Sequence, residues 1–404
     1  MKTNPPALSQ EQITTLNALE RTREHVFVTG KAGTGKSFIL RAFASATHKV
    51  VRVSAPTGMA AVNAAGSTIH NLLGLRASTP ADAYPDWKAI AVARKGLEGV
   101  DTLVIDEVSM VSSSLMDAID RRLRVIRAAP EPFGGMQIIM FGDLYQLPPV
   151  IAKEDKEYYD REDYKSEWFF DAEVWQETEF TTFALEEIHR QQDTEFKEIL
   201  NGVRDGTLSV KGLTQINSLR GRKVKNPADV TLLAARKKQV IEYNRRQLQA
   251  LRGPEHVYTA RVNAGFGHQE PADRKLVLKV GMPVLILNND REERWVNGTK
   301  AIVKSCQPDE VWIEIDGMSH TVAFNSWVKA GYPPDEWKNA PKFWQLPMRS
   351  AWAMTIHKSQ GQTLDAVQID MAGGAFAPGM TYVALSRATT VSYTHLTLPT
   401  ICSV

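Results

Sequence analysis

Cysteine, long apolar runs and an excess of either charge are all scarce in this chain. The two cysteines, Cys306 and Cys402, cannot supply a disulfide framework, a zinc site or an iron–sulfur cluster. Such scarcity matches a reducing, intracellular setting. No stretch approaches the roughly 18 apolar residues of a membrane span. The polar opening "MKTNPPALSQEQ" has no apolar signal-peptide core. The expected place is therefore the cytoplasm, with the nucleoid if the source is bacterial. Net charge is only +2, so contact with nucleic acid requires a local basic surface and not a global excess. Repeats of fixed period and extended low-complexity segments are missing too. What remains is ordinary for a globular protein, with 43% hydrophobic and 23% charged residues. At 404 residues, two or three domains are expected.

The strongest positive signal is "GKAGTGKSFIL", which follows the apolar run "HVFVTG". It reads G-x-x-x-x-G-K-S, with Gly30, Gly35, Lys36 and Ser37 in place. In such a loop, glycines let backbone N–H groups curl around phosphate oxygens, the lysine reaches the outer phosphates and the serine hydroxyl holds Mg²⁺. A β-branched strand before the loop and a helix-like "KSFILRAFASA" after it supply the context the motif needs. Gly30, Gly33, Thr34, Gly35, Lys36 and Ser37 are thus the candidate nucleotide cradle. The motif alone says nucleotide, not which task.

Around it, "HVFVTG", "HKVVRVSAP", "DTLVIDE", "MQIIMFGD" and "FTTFALEE" read as buried strands of a mostly parallel sheet, alternating with helical stretches. That is an α/β layout with ligand loops at the carboxyl ends of the strands. "TLVIDEVSM" places Asp106 and Glu107 at one such end. Beside a phosphate loop, the first carboxylate suits Mg²⁺ and the second suits orienting or deprotonating the attacking water. "FGDLYQLPPV" puts Gln146 where a polar side chain can sense a γ-phosphate. The segment 75–87 and the charged segment 151–168 read as excursions from the sheet. Past residue 184 the α/β pattern restarts, and residues 275–325 become short strands broken by Asn, Gly, Pro and Asp. Those strands read as a small antiparallel barrel inserted into the second α/β domain.

The order "GKAGTGKS", "APTGMAAVNAAGSTIH", "VIDEVSM", "GDLYQLPPV", "HRQQDTEF", "AMTIHKSQGQTLD" and "YVALSRAT" resembles the Pif1 and RecD-like DNA helicases of superfamily 1. The resemblance runs from about Leu8 to Thr390. It implies two RecA-like domains in tandem, 1–183 and 184–390, with a wedge excursion at 75–95 and an SH3-like barrel at 265–340. ATP would lie in the cleft between the domains. The first would supply Lys36, Ser37, Asp106, Glu107 and Gln146; the second, lacking a phosphate loop of its own, would supply Arg190 and Arg387. Guanidinium groups there stabilise transition-state charge.

Two readings of Gln12 stay open. Ser9-x-x-Gln12 is a complete capping box, and similar helicases use the matching glutamine to read adenine. For the DNA track the candidates are Thr57, Thr68 and His70 in one half and Thr355, His357, Lys358 and Ser359 in the other. Short hydroxyls and backbone amides suit sequence-independent phosphate contact, and Lys358 adds charge. The tripeptide "TIH" occurs once in each half.

The reading is an ATP- and Mg²⁺-using 5′→3′ DNA helicase, a monomeric motor on single-stranded and forked duplex DNA. Competing readings are a translocase or remodelling ATPase without unwinding, and a non-catalytic DNA-binding subunit. After "YVALSRATT" the chain departs from the family pattern, and "VSYTHL" also reads as a translated transposon-end adaptor. Residues 391–404 are accordingly expected to contribute nothing to the fold.

Overall fold

Five of the apolar runs in the first half form strands of one parallel sheet in the computed structural model. The structure describes residues 8–75, 87–151, 156, 159, 164–191, 193–220, 230–266, 270–290, 292, 294, 295, 297–328, 338–362, 364, 366–388 and 394–397. By its contacts the chain divides into two units. The first is Met1–Lys197 with Ala377–Ser386, and the second is Glu198–Phe376 with Arg387–Val404.

The first unit holds β1 (His25–Gly30), β2 (Val51–Ala55), β3 (Ser67–Thr68), β4 (Thr102–Ile105), β5 (Gln137–Gly142) and β6 (Phe180–Leu185). Their order is β3-β2-β4-β5-β1-β6, every pair parallel. β4 and β5 are buried at every position, as strands covered on both faces must be. Side chains alternate between two cores. Val26, Val28, Val104, Ile139 and Phe141 pack with Ile39, Leu40 and Phe43 of the helix Lys36–Ala46 on one face. Phe27, Leu103, Ile105, Ile138 and Met140 pack with Met116, Ile119 and Leu123 of the helix Ser113–Arg127 on the other. The strand order brings the carboxyl ends of β1, β4 and β5 side by side, the place where an α/β sheet presents its ligand loops.

The second unit carries a parallel sheet and antiparallel ones. In chain order its strands are β7 (Thr231–Ala234), β8 (His256–Thr259), β9 (Arg261–Val262), β10 (Lys275–Leu278), β11 (Pro283–Ile286), β12 (Lys300–Cys306) and β13 (Glu310–Ile315). There follow β14 (Met318–Ala323), β15 (Asn325–Val328), β16 (Lys342–Gln345), β17 (Met348–Ser350), β18 (Ala353–Thr355), β19 (Val367–Asp370) and β20 (Thr394–Thr397). β18-β7-β19-β20 is parallel. β14-β13-β12-β11-β17, β15-β16-β9 and β10-β8 are antiparallel.

Four expectations change. The boundary at 183/184 would cut β6, whose Leu185 pairs with Gly30, and the first unit continues to Lys197. The antiparallel strands begin at His256 and end at Ser350, wider than 265–340, and among the described residues they form separate sheets. Of the excursion at 75–95, residues 76–86 lie outside the described residues. Trp87–Gly96 is a helix with Ile90 and Ala93 in the first unit's core, so that part is no excursion. Most of 151–163 is also outside the described residues, but the Tyr159 hydroxyl lies 3.1 Å from both Ser113 Oγ and Ser114 Oγ. Finally, Thr394–Thr397 pairs in parallel with β19, so the 391–404 segment does contribute an edge strand. Its backbone groups find ladder partners in β19. The rest of that segment lies outside the described residues.

Candidate functional site

The loop after β1 turns through left-handed backbone at Gly33 (φ 88°) and Gly35 (φ 87°), and Gly35 caps the helix Lys36–Ala46. A Cβ on Gly33 would sit 2.8 Å from Arg190 Cβ, so only glycine fits where the "HRQ" segment crosses the loop. That crossing is held by backbone: the His189 and Arg190 amides donate to Gly33 O at 2.9 and 3.2 Å. Lys36 Nζ donates to Gly30 O at 2.6 Å and Lys31 O at 3.0 Å, coiled back on its own loop. Burial pushes its ammonium below the usual lysine range; Asp143, Glu107 and Asp106 oppose that shift, and Arg190 adds to it. Thr34 is fully buried, its hydroxyl on Lys31 O at 3.0 Å, and Ser37 follows Lys36 in the first helical turn, half-buried.

At the end of β4, Asp106 and Glu107 are both buried. Burial, then the adjacent Glu107 charge, raise the Asp106 carboxyl to about 7, while the Glu107 amide at 2.9 Å from Oδ1 pulls the other way. Glu107 itself sits at φ 52°, ψ 43°, a left-handed conformation costing a non-glycine residue on the order of 1 kcal/mol. Beyond β5, Asp143 is fully buried and organises its own turn. It accepts from the Tyr145 amide at 3.2 Å and from Gln146 Nε2 at 3.4 Å. Gln146 is buried too, and its Oε1 meets no donor among the described residues.

Two residues of this cluster carry no mark in the sequence analysis. Asp143 occupies the same strand-end place as Asp106, and that shared place was the available signal. Tyr382, on the helix Met380–Leu385, accepts from the Ala32 amide at 2.7 Å and donates to Asp143 Oδ2 at 3.2 Å. Nothing local in "YVALSRAT" marks a tyrosine that braces a loop 350 positions earlier.

Lys36, Asp106, Glu107, Gln146 and Arg190 come together in the first unit. Arg190 had been expected from the second domain; it belongs with the phosphate loop, with one guanidinium nitrogen donating to Ser386 O at 3.2 Å. Burial pushes that guanidinium below its ordinary range, against the pull of Glu107 and Tyr382. Gln12 completes its capping box with Ser9, and its Nε2 donates to Thr34 O at 3.3 Å, which also ties the first helix to the loop. Arg387 lies in the second unit, 1% exposed, donating to Ser359 O at 3.4 Å and Gln362 O at 3.1 Å. Those bonds fasten its turn to the "HKSQGQ" loop.

The DNA candidates divide between the units. In the first, Thr57 and Thr68 cap short helices through their hydroxyls, accepting from Ala60 N at 3.2 Å and Asn71 N at 3.3 Å. Each hydroxyl keeps its own proton to give. Half-buried His70 is pushed below the usual imidazole range by burial. In the second, Thr355 caps Ile356–Ser359, accepting from Lys358 N at 3.3 Å. His357 stacks on Phe376, rings 13° from parallel, and Lys358 is exposed. Ser359 is a correction: it is fully buried with its hydroxyl on Ile356 O at 2.8 Å, so its side chain cannot meet a strand.

Among the described residues no group of three or more His, Cys, Asp or Glu can hold a metal ion unaided. None of their helices is long and apolar enough to cross a membrane.

Comparison with known proteins agrees with this geometry. The family model of PIF1-like helicases matches residues 7–212. ATP-dependent DNA helicase PIF1 of Homo sapiens is 34% identical over 95% of this chain, which spans only 59% of that relative's length. ATP-dependent DNA helicase Pif1 of Bdellovibrio bacteriovorus is 33% identical over 96% of this chain and 87% of its own. Among solved structures, the Pif1 helicase from Bacteroides in complex with ADP-AlF3 and ssDNA superposes with a TM-score of 0.77 at 33% identity. It covers 97% of this chain and 92% of that one. On the phosphate loop, its strand-end carboxylates and these matches, the chain belongs to the PIF1-like helicase family.

Proposed function

We propose that this chain is an ATP-dependent DNA helicase that moves 5′→3′ on single-stranded DNA and opens forked duplex. The observation carrying this reading is the cluster of buried Asp106, Glu107, Asp143 and Gln146 with half-buried Lys36 around one phosphate loop. Buried charges are costly unless they are paired or meet a metal or charged ligand, and strongly perturbed groups collect at functional sites. Lys36 can exchange its loop carbonyls for outer-phosphate oxygens, and the empty Gln146 Oε1 can accept from an attacking water.

The same residues fit Mg²⁺. Asp106, unwilling to ionise alone, and the Ser37 hydroxyl offer oxygen ligands of the kind this ion shares with nucleotide phosphates. When bound, Mg²⁺ would neutralise phosphate charge. Glu107, Arg190 and Arg387 take the roles of water-orienting base and charge stabilisers, and Gln12 contacts the adenine. Thr57, Thr68, His70, Thr355, His357 and Lys358 hold the strand, so that ATP turnover alternates the grip of the two units. The Bacteroides relative, in complex with ADP-AlF3 and ssDNA, supports both ligands. Its place is the cytoplasm, at the nucleoid if the source is bacterial, where a DNA substrate is met.

The test compares ATPase and unwinding on 5′-tailed and 3′-tailed duplexes, with Lys36→Ala beside the unaltered chain. DNA-stimulated turnover should be lost in Lys36→Ala, by about 100-fold or more, because outer-phosphate charge is no longer met. Unwinding should require the 5′ tail. ATPase without unwinding on either tail would mean a translocase, and full turnover in Lys36→Ala would overturn the site.

A further inference from the structure

Phe376 is an aromatic residue that the second unit leaves 53% exposed, and its surroundings are built and not accidental. The His357 ring lies nearly parallel to it, 13° apart with centroids 5.6 Å away. The Arg236 guanidinium stands 5.4 Å from the same centroid. Arg236 is in turn fixed. It occupies the cap position of the fourteen-residue helix Lys237–Ala250, its amide donates to Gln239 Oε1 at 2.9 Å, and its side chain reaches Gly373 O at 3.5 Å. Gln239 Nε2 reaches Ala372 O at 3.4 Å, so the turn that carries Phe376 is tied to the start of that helix. Lys237, exposed beside it, adds a second cation and acts on His357 through its charge.

A solvent-facing phenyl ring gains nothing for folding by staying out of the core. Stacked on an imidazole and approached by a guanidinium, the residue still stays 53% exposed, an open aromatic surface next to cations that can meet phosphate. Single-stranded nucleic acid presents that pairing of chemistries at every nucleotide. We infer that Phe376 is a base-stacking position for single-stranded DNA, with Arg236 and Lys237 meeting the adjoining phosphates. The inference rests on the DNA-translocating reading above and adds residues that reading did not contain. It makes the grip of the second unit depend on a base and not on the backbone alone, without preference for sequence, since every base has a π-face.

The experiment measures affinity for a fluorescent oligothymidylate by anisotropy across a salt series, and for the same strand made abasic. Phe376→Ala should weaken binding to the normal strand by about tenfold and leave the salt slope unchanged. Phe376→Trp should restore it. Arg236→Ala should lower the salt slope by about one instead. The unaltered chain should bind the abasic strand less tightly, and Phe376→Ala should bind both strands alike. Equal affinity of the unaltered chain for normal and abasic strands overturns the stacking inference, even if Phe376→Ala fails to fold. If the unaltered chain binds no single strand at all, the helicase reading falls as well; if it binds and Phe376→Ala binds equally, only the stacking position falls.

Discussion

Thr68-Ile69-His70 in the first unit and Thr355-Ile356-His357 in the second build one corner twice. Each threonine ends an edge strand, β3 or β18, in nearly the same extended conformation, φ −68°, ψ 147° and φ −75°, ψ 150°. Each caps the short helix that follows by accepting from the third residue on, both at 3.3 Å. Ile69 and Ile356 are buried at 1% and 0% exposure and anchor the turn. Both imidazoles are pushed below their ordinary range, first by burial. What differs is the company. The first unit also carries the phosphate loop and its buried charges, whereas the second has no such loop and sets Phe376, Arg236 and Lys237 about its corner. A cap and an apolar anchor fix the corner's shape, and the chemistry comes from what surrounds it. On the proposed reading, both corners hold the strand and only one unit turns over nucleotide.

The sharpest way to break that division is Glu107→Gln. Its amide is nearly the same size as the carboxylate, so the left-handed turn and the Asp106 contact of its backbone should persist. Single-turnover ATP hydrolysis should fall by roughly 10²-fold or more, the range expected when a general base is removed. Binding of a fluorescent ATP analogue and of single-stranded DNA should remain. If nucleotide binding disappears with hydrolysis, Glu107 holds the loop together and the division between structure and chemistry fails at this position.

Much of the first unit was legible because its signals are local. The strands β1, β2, β4, β5 and β6 coincide with short apolar-rich runs, although β2 carries Arg52 and the edge strand β6 two exposed threonines, and the phosphate loop is contiguous from Gly30 to Ser37. Signals that depend on distant partners were not legible. Arg190 reads as a residue of the second domain until the His189 and Arg190 amides are seen to donate to Gly33 O in the first unit. Tyr382 reads as part of an apolar helix face until its hydroxyl is found between Ala32 and Asp143. Ser359 looked available because its neighbours are polar, yet the turn folds its hydroxyl back on Ile356. The edge strand Thr394–Thr397 has no apolar period, and only backbone pairing with β19 defines it. Long-range hydrogen bonds leave no trace in local composition.

The twin corners can be compared directly by removing each cap. Thr68→Ala and Thr355→Ala should each cost about 1 kcal/mol locally, the usual loss for a threonine cap. Hydrogen exchange of the Asn71 and Lys358 amides is the appropriate readout, since each amide donates to the hydroxyl that is deleted. Exchange should speed up by about fivefold at the matching amide in each variant, and replacement by serine should restore protection. Loss of protection at only one of the two amides would show that the corners share a sequence but not an energy.

The smallest expected effect separates the two histidines. In both, burial lowers the imidazole below 6.5, and for His357 the Lys237 charge lowers it further. An unfolded chain takes up these protons near 6.5, so the folded state binds fewer protons just below that pH. Stability contributed by the two neutral rings is therefore complete above 6.5 and is lost as pH falls toward their folded values. Lys237→Gln takes away one of the two causes acting on His357 and leaves burial, the single cause acting on His70, in place. In an NMR titration of the ring protons, the His357 midpoint should move up in that variant while His70 stays in place. Movement of both midpoints together would mean that the depression is a property of the whole chain's charge, and the corners would then be electrostatically alike. Movement of neither would leave burial as the sole cause in both corners, and Lys237 would contribute nothing to how the second unit's corner differs from the first.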